Sequence, residues 1–518
     1  MAPLSRFQNI RVYWLAFIVY WGIVLFGYDT GIGGGVVSQP YFQEHFGFAN
    51  DTAKKNDISS NVVSVLQAGA FFGAIGSAPI SGWIGRRFTL LIFSIVFAVG
   101  AALQTVAGGS RGLGYIYAGR VIAGVGVGAI SAVAPAFVSE CSPKEVRGRI
   151  TGLFQIMVAI GVMLSYWINL GISLHIKTGF AVWRIPLGFQ LVPAGIMAFG
   201  LLTVKESPRW LASKGRDDEA IVNLSYLRKL PADDERVRYE YAEIYAAIQE
   251  ERAARAGLGF REAFLGKGNW IRFVIAIVIF LFQQWCGQNS VNYYAPQIFQ
   301  SIGYNGVSQS LLASGIYGIV KVVATSIFVF FLVESLGRKL SLFISACGMG
   351  TLFFIIGALL KSFPPPSTPN GDPPPASKAM AAMLYIYVCF YSMGWGPLPW
   401  VYVSDIFPTR TRHYGLATAS ASQWLFNFVV SKVTPDMVTA LGYKIFLMFA
   451  TINIGGMAIF SLLIPETMGR SLEEMDIIFG SVNAEQRLAD IRKEERALDH
   501  DFHIPEAQSV RSDYAEKV

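Results

Sequence analysis

The sequence predicts an all-α membrane protein of twelve transmembrane helices in two six-helix, pseudo-symmetric bundles. Three observations carry this: the apolar composition, the number of long apolar runs, and a set of charged motifs that occurs twice. Of 518 residues, 53% are hydrophobic and only 15% charged, and the mean hydropathy is +0.44. That excludes a disordered chain and is too apolar for an ordinary soluble enzyme. Apolar runs fall near 12–37, 60–83, 88–108, 114–139, 149–173 and 183–204, and again near 270–299, 309–333, 339–361, 380–403, 413–433 and 443–464. Each is long enough to cross a hydrocarbon core, which needs about 20 helical residues.

The repeated motifs explain why there are two sets. Gly85-Arg86-Arg87 recurs as Gly337-Arg338-Lys339. Glu140 followed by Arg147 recurs as Asp405 followed by Arg412, and Glu206 near Arg209 recurs as Glu466 near Arg470. The copies keep their order at a spacing of roughly 260 residues, so the chain is two copies of one membrane unit; in carriers built this way the site lies between the halves at mid-membrane. The expected organisation is a bundle over 1–204, a cytoplasmic helical linker over 205–268, a bundle over 269–464 and a cytoplasmic tail over 465–518.

The net charge of +7 does not point to nucleic acid. Arg86, Arg87, Lys144, Arg147, Arg149, Arg338, Lys339, Arg410 and Arg412 lie in alternate short loops, the positive-inside pattern, which predicts that both termini are cytoplasmic. The first span lacks a small-residue cleavage site and reads as retained. Residues 205–268 read as amphipathic helices, 362–378 as a proline-stiffened outer loop, and Asn50-Asp51-Thr52 as a sequon on the outer side. The four cysteines and five histidines show neither a disulfide framework nor metal spacing, and no nucleophile constellation occurs. Gly124-Val125-Gly126-Val127-Gly128 follows no strand; it and Gly27, Gly31 and Gly35 read as close helix packing.

The charged motifs sit at span ends, where charge is tolerated. Arg86, Arg87, Glu140, Arg147, Glu206, Arg209, Glu334, Arg338, Asp405, Arg412 and Glu466 are expected to form a cytoplasmic gate, pairing across the two halves. Inside the spans, Gln283, Gln284, Gln288, Asn289 and Asn292 put five amides into ten residues of the seventh run. Residues 284, 288 and 292 share one helical face and 285, 289 and 293 the next. So many amides, each both donor and acceptor, suit a ring of hydroxyls better than helix-to-helix contact alone. Trp400 beside the helix-breaking Gly396-Pro397, and Trp424 one turn from Asn427, supply aromatic faces and a further amide. Asp29 lies deep in the first run and Arg120 opens the fourth; a carboxylate at that depth is functional by default. Lys321 stands inside the eighth run, where its ammonium needs a partner: a substrate carboxylate, a fixed protein acid or backbone carbonyls.

These residues together resemble the sugar porters of the major facilitator superfamily. The resemblance covers nearly all of 12–480 and rests on Gly85-Arg86-Arg87, Glu206-Ser207-Pro208-Arg209-Trp210-Leu211, Gln283-Gln284 through Gly287 and Asn289 to Tyr293-Tyr294, Gly396-Pro397 with Pro399-Trp400, and Pro465-Glu466-Thr467. It implies that fold, a site in which Gln155, Gln283, Gln284 and Asn289 contact the sugar, and an Asp29–Arg120 pair that couples transport to protons, with no other cofactor. The seventh run resembles fungal members, some assigned to neutral sugars and others to quinate or sugar acids. The family usually has an acid three residues before the first Gly-Arg-Arg; Gly82 stands there, whereas Glu334 keeps the acid in the second half. The expectation is a multi-pass plasma-membrane carrier, functional as a monomer in the lipid bilayer, taking up a monosaccharide, sugar acid or quinate with protons. A facilitative uniporter and a transport-dead nutrient sensor are the alternatives, and an enzyme is not expected.

Overall fold

The computed structural model describes residues 9–480 apart from 110, 258, 267, 333–336, 366–371, 409, 469–474 and 476–477. Among the described residues, ten helical stretches are long and apolar enough to cross a membrane. The first six spans are Ile10–Val37, Thr52–Ile84, Arg86–Thr105, Gly114–Cys141, Lys144–His175 and Ala181–Leu201. The eighth is Val307–Ile327 with a π turn to Leu332, and the ninth Arg338–Ser362. The tenth is Pro375–Met393 with Leu398–Ile406, and the twelfth runs from Lys444 to Leu463 through a π turn at Ile452–Ala458.

Two spans fall short of that apolar standard for physical reasons. The seventh is three pieces, Asn269–Trp285, Gln288–Tyr293 and Ala295–Ser301. The eleventh, Arg412–Leu441, buries Ser422, Asn427, Ser431 and Thr434, because much of it faces protein rather than lipid. Together these make the twelve-helix fold in two halves. Between the halves lie the short helices Pro208–Ser213, Asp217–Arg228, Glu235–Arg255 and Phe260–Leu265.

Small residues set the approach of the helices. A Cβ on Gly27, Gly31 or Gly35 would strike the Val158 carbonyl, Ser165 Oγ or Asn169, so the glycine row of the first span is what lets it lie against the fifth. Gly124 and Gly128 meet the Leu66 and Ala70 carbonyls of the second span in the same way. The glycine patterns in the sequence are packing surfaces.

The halves are joined at the face opposite the charged motifs. Lys432 Nζ on the eleventh span reaches Asp57 Oδ1 (3.3 Å), Asn61 Oδ1 (2.6 Å) and Ser60 Oγ (3.1 Å) on the second. Asn56 donates to Thr439 Oγ1 (2.9 Å) and Asp436 Oδ1 (3.2 Å). Ser173 and Ser308 share a hydrogen bond of 2.9 Å between the fifth and eighth spans, and Tyr166 donates to the Asn292 carbonyl at 2.6 Å. The Tyr293 carbonyl lies so close to Gly34 that any Cβ there would collide with it.

Candidate functional site

The seventh span breaks at Gly287, whose φ of +97° an L side chain resists and whose missing Cβ would sit 2.8 Å from Phe353. The carbonyl freed at Cys286 accepts from Tyr387 Oη (3.1 Å) and Asn453 Nδ2 (3.0 Å), which is how a broken helix is tolerated in hydrocarbon. The tenth span breaks between Met393 and Leu398, and Gln283 Nε2 caps the freed carbonyls of Trp395 (2.8 Å) and Gly396 (3.1 Å). Trp395 is fully buried and anchored by its indole N–H on the Leu342 carbonyl at 2.9 Å.

These breaks redistribute the amides. The continuous helical faces expected from the sequence do not persist past Gly287, because a left-handed residue resets the helix direction. Two groups form instead. In one, Gln284 donates to Gln283 Oε1 (3.1 Å), Asn289 donates to Gln284, and Asn289 Nδ2 approaches Asn427 Oδ1 at 3.5 Å. Asn427 Nδ2 then donates to Tyr293 Oη at 2.9 Å. This string links the seventh and eleventh spans, with Asn289 only half-buried. In the other group, Gln288 Nε2 donates to Asn292 Oδ1 (2.9 Å) and Tyr317 Oη (2.8 Å), tying the seventh span to the eighth. Gln288 is fully buried, which makes this group a structural knot.

Gln155 is half-buried on the fifth span and makes no hydrogen bond to a described residue. Trp400, also half-buried, leans on Phe280 with ring centroids 4.7 Å apart, and Trp424 packs on Phe26 at 5.4 Å. Trp424 is buried and its ring is spent on this contact between the halves, unlike the half-buried Trp400. A separate cavity of about 630 Å³ opens at the opposite face, lined by Gln39, Lys177, Ser308 and Gln309 among others, and shares no residue with the amide string.

Asp29 and Arg120 meet as expected. Arg120 Nη1 lies 2.9 Å from Asp29 Oδ1, and both side chains are 1% exposed. Arg120 Nε donates to the Val62 carbonyl at 2.8 Å, and Gly33 leaves room for Nη2, which a Cβ would meet at 3.0 Å. Asp29 Oδ2 and Arg120 Nη2 make no further hydrogen bond, so the pair is joined by one contact, not a bidentate fork.

The charged motifs build matching devices in each half. Glu206 accepts from the backbone N–H of Arg86 and Arg87, both at 3.0 Å, and Glu466 from those of Arg338 and Lys339, both at 3.0 Å. Each glutamate caps the N-terminus of a long span, where the helix dipole favours an anion. A Cβ on Gly85 would lie 2.5 Å from Glu206 and one on Gly337 2.8 Å from Glu466, which is why the motif begins with glycine. Burial raises the Glu206 carboxyl above its ordinary range. Burial pushes Glu466 the same way, but the N–H groups of Met468, Lys339, Arg338 and Thr467 outweigh it and hold that carboxyl low. Arg86 binds Glu140 through Nη2 at 2.9 Å and Nε at 3.1 Å, while Arg338 stands 3.9 Å from Asp405.

This differs from the expected pairing across the halves. Among the described residues these contacts close within each half, because the halves are joined at the opposite face and the motif loops are left to their own bundles. Arg209 pairs instead with Glu251 of the intervening helices at 3.0 Å, and Arg412 donates to the Phe407 carbonyl at 3.4 Å. The Arg147 side chain and Glu334 lie outside the described residues. Sequence reasoning missed the Asp57–Lys432 cluster and the buried Trp395, Tyr317 and Asn453. An isolated lysine near the end of the eleventh run was the one available signal for the first.

Two opposed helical bundles, a sealed ion pair and an amide-lined interior define a membrane carrier rather than an enzyme. The chain belongs to the "Sugar (and other) transporter" family, whose model matches residues 15–479. It is 38% identical over 504 residues to a probable quinate permease of Neosartorya fischeri, covering 95% of this chain and 93% of that protein. It is 36% identical over 519 residues to the quinate permease of Emericella nidulans, covering 98% and 97%. Among solved structures, it resembles the xylose transporter XylE from E. coli in a partially occluded inward open conformation. There the TM-score is 0.74 and the identity 25%, covering 89% of this chain and 100% of that one. The proton:xylose symporter XylE bound to 6-bromo-6-deoxy-D-glucose matches with a TM-score of 0.74 and 26% identity, covering 91% and 100%.

Proposed function

We propose that this protein is a proton-driven carrier for a polyhydroxylated ring compound of the quinate and monosaccharide type, working by alternating access. The observation that carries the reading is the Asp29–Arg120 pair, sealed in the first half and held by a single 2.9 Å contact. Protonating Asp29 removes one buried charge and frees Arg120, so occupancy by a proton changes the energy of rearranging the bundle. The amide string of Gln284, Asn289 and Asn427, with Gln155 and Trp400, offers ring hydroxyls donors, acceptors and an aromatic face. The quinate permeases that share 36–39% identity with the chain support a cyclic polyol as substrate.

In this reading the conformation described is the one closed at the face opposite the motifs. The motif face is cytoplasmic, in keeping with its basic loops, and its paired devices re-form between states as the gate. Residues 1–204 and 269–464 are the moving bodies, 205–268 links them, and the carrier works as a monomer in the plasma membrane. The test is uptake of labelled quinate into cells lacking their own carriers. Accumulation is expected to collapse with a protonophore, and Asp29→Asn is expected to lose accumulation while keeping exchange. Uptake that survives the protonophore undiminished would instead establish a facilitative uniporter.

A further inference from the structure

The eighth span carries a charge that the proton site does not use. Lys321 is 7% exposed. It makes no hydrogen bond and no ion pair with any described residue, yet its Nζ is not among the fully sealed polar atoms without a partner, so the ammonium keeps access to open space. One turn back on the same helix face, Tyr317 is fully buried and bonded to Gln288 and Asn292 of the seventh span. One turn on, Thr325 is buried and bonded to Ser392 Oγ of the tenth at 3.1 Å. Lys321 therefore sits on an inward face, between two residues that fix that face against the seventh and tenth spans.

Among the described residues no acid pairs with it. Asp29 is taken by Arg120. Asp405 is at the motif end of its span, accepting from Thr467. Glu334 lies outside the described residues. A buried ammonium without a counter-charge is expensive, and it persists in a protein when something else supplies the charge.

We propose that Lys321 is the receptor for a carboxylate on the transported ring, so that the substrate class is a cyclic polyol bearing one carboxylate and transport is electroneutral. The proposal rests on the reading of the chain as a proton-driven carrier. The charges balance in a simple way. The empty core holds Asp29⁻, Arg120⁺ and Lys321⁺, one net positive charge. The loaded core holds protonated Asp29, Arg120⁺, Lys321⁺ and the substrate anion, again one net positive charge. Both forms cross between states with the same charge, and each cycle moves one proton with one anion. A neutral sugar carried with a proton would instead move net charge.

The test uses the full-length protein, purified and reconstituted into vesicles, with quinate and its neutral carboxamide analogue. Quinate is expected to bind on the order of 30–100-fold more tightly than the carboxamide, and Lys321→Gln to remove most of that ratio by weakening quinate alone. Lys321→Arg, which keeps the charge, is expected to retain part of the preference and controls for folding. Quinate uptake is expected to follow an imposed pH gradient and to ignore an imposed membrane potential. Equal losses for both ligands in Lys321→Gln, or quinate uptake driven by potential alone, would overturn the proposal. Accumulation of neutral rings by the potential would overturn it while leaving the proton-carrier reading intact. Indifference of every ligand to both gradients would take both readings down.

Discussion

At the scale of single residues, neighbouring amides have different tasks. Gln283 closes the carbonyls of a helix break, Gln288 knots two spans, and Asn289 stands half-buried at the edge of the string to Asn427. Truncating Gln288 leaves buried partners unpaired, so Gln288→Ala is expected to lower stability by about 1–3 kcal/mol while folded molecules keep their affinity. Asn289→Ala is expected to do the reverse, weakening substrate binding by about 1–2 kcal/mol with little change in unfolding temperature. Isothermal binding and thermal unfolding on the same preparations check this; the opposite pattern would reassign the two residues. The presence of the amides was legible in the sequence, since five in ten residues of a membrane run stand out. Their division was not, because it depends on the left-handed turn at Gly287 and on carbonyls released in another span.

At the scale of elements, the second and eleventh spans form a clasp at the face opposite the motifs. Lys432, Asp436 and Thr439 lie at helical spacing on one span, and Asn56, Asp57, Ser60 and Asn61 on the other. The ion pair is well exposed, 38% and 67% for its two side chains, so it contributes little alone. With its hydrogen bonds the clasp is worth about 1–2 kcal/mol, roughly 5–30-fold in the ratio of closed to open forms. Lys432→Gln with Asp57→Asn is expected to raise, by that factor, the labelling rate of a cysteine placed at Ser59, which is buried at the same seam. An unchanged rate would mean that apolar packing alone holds this face shut. The clasp was illegible because its partners stand 375 residues apart and belong to no repeat. The capping glutamates were legible as motifs for the opposite reason: each is tied to its Gly-Arg pair twice, at the same place in both copies. Their partners lie within a half in the conformation described, where the opposite face is the closed one.

At the scale of the whole molecule, composition and duplication predicted the twelve spans and two halves; the seventh and eleventh spans depart from that pattern by their polarity and the tenth by its break. Function follows from what the two halves hold unequally. The first half holds the sealed Asp29–Arg120 pair; the second holds the two broken spans, the amide string and Lys321. In the proposed cycle, coupling is the requirement that both be satisfied before the bundles rock. The most direct measurement is proton entry into proteoliposomes loaded with a pH-sensitive dye. Adding quinate outside, with no gradient imposed, should acidify the lumen in step with quinate uptake, and Asp29→Asn should abolish the signal while still exchanging labelled quinate. Quinate entry without any acidification in the native protein would contradict the account.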